Sequence, residues 1–598
     1  MKLSPKKNES RRATARTKKN SICAQTLAAL ACLLTTTITT TSYTVTPYIS
    51  PRSVSENAAR ELVGWTRAVN LADKETNYGS FSVTPEYTHS FRADHIASQL
   101  FGCDLNSCNK INISGSDVAN RNTAKDWLAD YFYLPRSYKG SFSVRPMVQN
   151  FLVDFNFYWG LDTYQPGLFF RIHAPLTGTQ WDLNMCMENQ DLGLSTSGII
   201  RPLTTAPHGT LTDFTQFSYE KTSPSDIFSY TFQTQIPTPN HIYVFTPLYY
   251  NRLCPCKKTL ARLADIQADF GWNFLLDNDY HLGLFVRGVA PTGNRPHSVF
   301  LFEPIIGNGK HWELGSGLTA HATLWRSSEK NDHSCGVYLD ANITHFFDRT
   351  QCRTFDLKGK PWSRYNLAFK IIPDSLSREG IQQIIFSPVA NLTTHATDVS
   401  IAMQTDIAAL FNYTNGKLSV DFGYEFWSKS CEKFTCHTDC TPAPASNHAS
   451  VYGCGSDCTG HCACDFPTFY GELDGATWSL AGAKSFIAGL GGRAASYSNA
   501  TIHEEGIADP PGALVPPFFD NRKHLSRSDV DTANAHTKGR SNKFFTHLSY
   551  TWNEREWMPY LGLGGEIELA GKKCAPCECC ANTALSHWGL WFKGGISF

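Results

Sequence analysis

The residues of this chain best suited to chemistry are its cysteines. There are 20, and most stand in clusters: Cys103 with Cys108, Cys254 with Cys256, a run through Cys431, Cys436, Cys440, Cys454, Cys458, Cys462 and Cys464, and a CAPCECC tract holding Cys574, Cys577, Cys579 and Cys580. Sulfurs at such spacing can oxidise in pairs or hold a soft metal as thiolates. The run Cys454-x3-Cys458-x2-His461-Cys462-x-Cys464 has ligands at plausible intervals, yet no cluster repeats the paired CxxC frame of a zinc module. Their flanks are rich in Pro, Gly, Ser and Thr, which makes them loops. Loop cysteines of an exported chain usually form disulfides, so these fifteen are disulfide candidates. No metal or other cofactor is expected.

Nucleophilic catalysis finds little support. His173, His281, His321, His345 and His547 are available, but no Ser or Cys stands in a context such as G-x-S-x-G. They are expected as polar wall residues. GLGGRA, at 489–494, lacks the spacing and the following Lys-Ser/Thr of a phosphate loop. Formal net charge is zero, from 53 basic and 53 acidic residues, which leaves no basic face for nucleic acid. The chain is therefore expected to be neither an enzyme nor a nucleic-acid binder.

One phrase occurs twice. GLFFRIHAPLTG, at 167–178, returns as GLFVRGVAPTG at 283–293, with Arg171 and Arg287 in the same slot. Each copy follows an apolar-alternating run and a tight turn, so each is read as the second strand of a hairpin.

The elements that would position these residues are strands. Period-two alternation over segments of nine to thirteen residues recurs along most of the chain. Phe81, Val83, Pro85 and Tyr87 share one face, as do Phe151, Val153, Phe155, Phe157 and Trp159. Hairpins follow: Ile266 to Phe274 with Leu282 to Ala290, Leu314 to Leu324 with Val337 to Phe347, Val399 to Phe411 with Leu418 to Phe426, and Phe544 to Trp552 with Trp557 to Leu569. The third turns at Asn415-Gly416, the strongest short hairpin signal. Short connections at one end alternate with long, cysteine-bearing ones at the other. A soluble sandwich has no reason to sort its loops this way; a membrane barrel does. Strands crossing a bilayer must pair every backbone group, so the sheet must close. The fold expected is all-β, a single antiparallel transmembrane barrel of about 14 to 18 strands with short periplasmic turns and long outer loops. Trp159, Trp272, Trp325, Trp427, Trp552 and Trp557 are expected in interfacial girdles.

Ahead of the strands, residues 1–21 carry eight Lys or Arg against one acid, and Ile22 to Leu34 is apolar. Residues 1–42 are read as a secretory signal. Residues 43–77 form an N-terminal segment in which Leu62, Trp65, Val69 and Ala72 share one side of a short helix. That helix is expected at the periplasmic mouth or inside as a small plug, with plain packing an equal alternative. The barrel takes 78–598.

With the signal, the dyad repeat, the sorted loops and a terminal Phe598 closing an alternating strand, the chain resembles bacterial outer-membrane β-barrel proteins, porin-like ones in particular. APTGNRP (290–296), FLFEPIIGNGKHWELG and WGLWFKGG are similar to phrases of large, uncharacterised barrels of intracellular or symbiotic bacteria. Ile596 departs from the aromatic usual two positions before the end. The resemblance implies an outer-membrane location and contact with its lipid bilayer and with the barrel-assembly machinery, and a fold more firmly than a cargo. A homo-oligomer is left open.

Parity places Asp154, Asp269, Glu313, Asp340, Asp406, Asp421, Glu425, Glu566 and Glu568 inward, against Arg171, Arg287 and Lys593, with His173 beside them. Rings of carboxylates favour cations. The expected function is a water-filled pore for small polar solutes or ions with mild cation preference. The alternative is a surface structural or adhesion protein whose outer loops are stapled by disulfides.

Overall fold

A computed structural model describes residues 45–598 except 67, 73–75, 103–108, 133, 135, 192–240, 328–332, 374–381, 437–468, 476, 483–495, 509–522, 553–556 and 572–579. The expected signal lies outside the described residues. So do Cys103, Cys108, Cys440, Cys454, Cys458, Cys462, Cys464, Cys574, Cys577 and Cys579, and the side chain of Cys436.

Twelve strands form a closed antiparallel ring. They are β1 (Tyr78–Ser90), β2 (Met147–Gly160), β3 (Leu168–Asp182), β4 (Ile266–Leu276), β5 (Tyr280–Ala290), β6 (Glu313–Arg326), β7 (His333–Thr354), β8 (Thr394–Asn415), β9 (Leu418–Lys429), β10 (Thr537–Thr551), β11 (Met558–Ala570) and β12 (His587–Ser597). Each pairs with its neighbour in sequence, and β12 returns to β1. Phe598 completes the closure, exchanging backbone bonds of 2.8 and 2.9 Å with Gly79. Barrel closure leaves no edge strand within the ring to seek a partner.

The alternation read in the sequence is the alternation of the wall. Ser80, Ser82, Thr84, Glu86 and Thr88 of β1 are buried inward, while Phe81 and Tyr87 face out. Phe422 and Leu563 are each 61% exposed and Phe151 58%, and such residues recur around the ring. In water so continuous an apolar surface would drive association; against lipid it is the favourable solvent contact. Trp159, Trp272, Trp325, Trp552 and Trp557 are exposed near the turn end, as girdle residues would be. Trp427 is not one of them. It shares the inward parity of Glu425, is fully buried, and lies beneath the Arg52 guanidinium at 5.7 Å.

Turns at 161–167, 277–279 and 416–417 are short, while 91–146, 183–265, 355–393 and 430–536 are long. Gly416 takes φ 60°, the left-handed conformation that the tight β8–β9 turn demands. The strand count is below the 14 to 18 expected, because stretches between the clear pairs belong elsewhere. Lys110–Ser114, Trp127–Leu128, Lys139–Ser143 and Cys186–Asp191 form one four-stranded sheet outside the ring. His241–Phe245, Leu367–Pro373, Gln382–Pro388 and Trp478–Leu480 form another.

The long loops thus build a folded cap. Its core gathers Ile96, Leu100, Trp127, Phe132, Phe142, Tyr365, Phe369 and Phe386 from separate connections, with the Trp127 and Tyr365 rings 5.5 Å apart. The upper part of β8 runs into it. Val399 and Ile401, which begin the alternating run to Phe411, are buried there, since a register irregularity near Phe346 changes the parity above Met403. Two disulfides join the expected candidates Cys254–Cys256 and Cys431–Cys580. The second ties the loop after β9 to the loop before β12. Cys352, not among the candidates, is also disulfide-bonded, while Cys186 and Cys335 are free thiols.

Candidate functional site

The lumen is occupied by the chain itself. Residues 45–72 run from the cap, where Tyr48 and Ile49 join the core, down the barrel to the turn end, where the Leu71 N–H donates to Tyr78 Oη at 2.9 Å. Small barrels of about eight strands fill their interior with wall side chains, and those of 16 to 18 leave a channel. The interior of this twelve-stranded ring is filled by a separate segment.

Its centre is the helix Ala58–Leu62, and both helix ends meet groups of the right sign. Asn57 Oδ1 accepts from the Arg60 N–H at 2.9 Å as an N-cap. Asp406 and Glu425 accept from the Ala58 N–H at 3.2 and 3.1 Å. At the other end Lys593 Nζ donates to the carbonyls of Arg60, Glu61 and Val63 at 2.9, 3.1 and 2.8 Å. Carboxylates at the N-terminus and a cation at the C-terminus match the orphan backbone groups there. Gly64, at φ 71°, ends the helix, and its N–H donates to Asp421 at 3.0 Å.

Three charged plug side chains carry the ionic contacts. Arg52 meets Asp406 at 2.7 Å, Glu568 at 3.3 Å, and Glu425. Arg60 meets Glu86 at 2.7 Å and Asp154 at 3.0 Å. Glu61 meets Arg287 at 3.3 Å, Arg171 at 3.6 Å and His173 at 3.2 Å. Nearby, Lys543 bridges Glu425, Glu566 and Glu568 at 3.0 to 3.4 Å. Buried ions need partners on this scale, since each costs several kcal/mol to dehydrate.

The repeated phrase is explained by its register. Both arginines pair across strands with the same residue: Asp269 stands opposite Arg171 on one side and Arg287 on the other. Arg171 reaches Asp269 at 2.6 Å and Asp340 at 3.1 Å; Arg287 reaches Asp269 at 2.8 Å. The repeat therefore builds a two-arginine clamp around one carboxylate, with the free side turned to Glu61 of the plug.

At the loop-side rim, outside the strands, Ser53 Oγ donates to Asp265 at 3.1 Å and Ser55 Oγ to its carbonyl at 3.0 Å. Burial pushes the Asp265 carboxyl up to about 7. Toward the turn end the lumen opens into a cavity of about 540 Å³, lined by Glu61, Trp65, Asn70, Tyr158, Phe169, Arg171, His281, Phe285, His321, Tyr338 and Asp340 among others.

All ten residues expected to line a pore face inward and are buried: Asp154, Arg171, His173, Asp269, Arg287, Glu313, Asp340, Asp406, Asp421 and Glu425. Of these only Arg171 and Asp340 line the open cavity. The others are engaged by the plug or by wall and loop groups, Glu313 by Asn308 at 2.7 Å and Thr344 at 2.8 Å. At this level Arg52, Arg60 and Glu61 of the N-terminal segment stand in the lumen among the wall residues expected to line a pore. Those three residues, with Glu86, Lys429 and Lys543, were not anticipated. Opposite charges at Arg60 and Glu61 within the short helix, with Arg52 and Glu56 just before it, were the available signal.

No family model and no curated protein matches the chain. Among solved structures it is similar to an outer membrane channel from Pseudomonas putida F1 (8% identity, 88% of this chain and 99% of that one, TM-score 0.31). It is also similar to a Pseudomonas aeruginosa FadL homologue (6%, 87% and 90%, 0.24) and to the beta domain of the Bordetella autotransporter BrkA (7%, 88% and 100%, 0.24). The closed ring, its apolar belt and its sorted loops are the architecture of a membrane-spanning β-barrel.

Proposed function

We propose that this protein is an outer-membrane channel held shut by its own residues 45–72 and opened by their displacement. The observation that carries this reading is the filling of the lumen by a separate segment whose charged side chains Arg52, Arg60 and Glu61 pair with the wall, beside apolar contacts of Ala59, Val63, Trp65 and Ala68. A ring serving only as scaffold has no need of a removable filling. Polar contacts can be exchanged for water as the segment leaves, while the wall keeps all its strand pairing.

Cation preference belongs to the open state. As folded, Arg52 and Arg60 pair with Asp154, Glu86, Asp406 and Glu425 and offset part of their charge. Once they leave, those carboxylates face the passage, and rings of carboxylates favour cations. Small polar solutes are the cargo such a wall admits. Proteoliposome swelling tests this: the full chain should admit small sugars slowly, and Arg60→Ala about tenfold or more faster. Rapid swelling with the intact chain, unchanged by the substitution, would refute it.

The folded cap favours a second reading, a surface structural role. A ladder of disulfide-linked oligomers on non-reducing electrophoresis would support that role, and a discrete heat-modifiable monomer would favour the channel.

A further inference from the structure

Two imidazoles meet in the turn-end cavity, apart from the ionic network of the plug. β5 and β6 place His281 directly opposite His321. Their ring centroids are 4.5 Å apart and their Nδ1 atoms are in contact. Both line the cavity of about 540 Å³.

Each ring is held in place. His281 Nε2 lies 3.1 Å from Thr319 Oγ1, whose oxygen can accept the Nε2 proton. That tautomer leaves the His281 Nδ1 lone pair aimed at His321. Tyr338 stacks on the His321 ring at 5.2 Å and 12°. Arg326 and Asp279, at the same turn end, pair with each other at 2.7 Å. Two imidazole nitrogens facing at contact need a proton or a cation between them.

We propose that His281 and His321 form a binding site for a divalent transition-metal ion such as Cu²⁺, Ni²⁺ or Zn²⁺. Imidazole nitrogen suits these ions, at about 2.0–2.1 Å for zinc, and small side-chain rotations admit an ion between the rings. Thr319 acts as the orienting partner that metal-ligating histidines have on their other nitrogen. Water or solute from the cavity completes the coordination.

The site is coupled to the plug through Asn70. The Asn70 side-chain amide lies 3.4 Å from His281 Nε2 and can bond to it only when that nitrogen is unprotonated. The metal-bound tautomer carries the proton there. Asn70 then relies on Tyr158, 2.9 Å from its Oδ1, and on Asn273 at 2.8 Å. A metal on Nδ1 therefore fixes the Nε2–H tautomer, in which Thr319 rather than the Asn70 amide is the partner, and leaves the plug's ion pairs untouched.

The test is copper binding by the full chain in detergent, with CuSO₄ as probe and electron paramagnetic resonance as readout. One Cu²⁺ per chain with two equatorial nitrogens is expected. His281→Gln and His321→Gln should each weaken binding by about tenfold to a hundredfold. His345→Gln, on the outer face, should leave it unchanged. Sulfur ligation, or affinity unchanged in both variants, would overturn the proposal by placing copper on the cysteine clusters. No binding at all would equally overturn it. If either variant fails to fold, modification by diethyl pyrocarbonate decides on the intact chain: copper should protect His281 and His321, and unprotected rings would overturn the proposal.

Discussion

Glu61→Gln isolates the grip of the wall on the plug. The substitution keeps size and shape but removes the charge that meets Arg171, Arg287 and His173. Breaking a buried ion pair by removing one partner costs about 3–5 kcal/mol. The lower end applies, because Arg287 keeps Asp269, Arg171 keeps Asp269 and Asp340, and the amide oxygen can still accept one bond. At about 1.4 kcal/mol per tenfold, the equilibrium for plug release moves on the order of a hundredfold. Hydrogen exchange read by mass spectrometry gives that number directly, since the Ala58 N–H is bonded to the wall carboxylates of Asp406 and Glu425 only while the plug is seated. Protection over 57–63 should fall by that factor, while β4 and β5 exchange as before. Unchanged protection of the plug, or equal loss across the strands, would refute the reasoning.

Lys593→Met leaves the carbonyls of Arg60, Glu61 and Val63 without their donor, a cost of about 2–3 kcal/mol; exchange over 61–65 should rise at least about tenfold. The neutral Asp265 carboxyl, pushed up to about 7, contributes stability that is present in full below the ordinary carboxylate range and is lost as pH rises toward 7. Asp265→Asn should flatten the denaturation midpoint of the rim between pH 4 and 7, and a slope identical to the parent would refute the assignment. Cys431→Ser opens the link to Cys580; limited proteolysis should cut the cap faster, with a stabilisation loss of about 2 kcal/mol, while heat-modifiable migration of the barrel persists.

What was legible in the sequence was whatever depends on neighbours. The alternation of Phe151 to Trp159 and of Phe270 to Phe274, and the Asn415-Gly416 turn, follow from local period and local backbone geometry. Trp427 was legible in principle, since its parity with Glu425 points it inward, but its aromatic type suggested a girdle. The cap was not legible, because Trp127, Phe142 and Tyr365 meet from different loops with no shared period. Nor were the partners of the plug: Arg52 and Glu568 are 516 residues apart, and nothing local couples them. The inward wall was read as a free surface because alternation reports which way a side chain points and is silent on what else enters the barrel. The paired arginines gained their meaning from register, which places Asp269 between them.

Single-channel recording in planar bilayers, comparing the full chain with one lacking residues 45–72, tests the closed-channel account most directly. The full chain should be silent or open only briefly. The shortened chain, verified as a barrel by heat-modifiable migration, should conduct steadily with a reversal potential favouring cations. Equal conductance in the two proteins, or silence in both, would contradict the account.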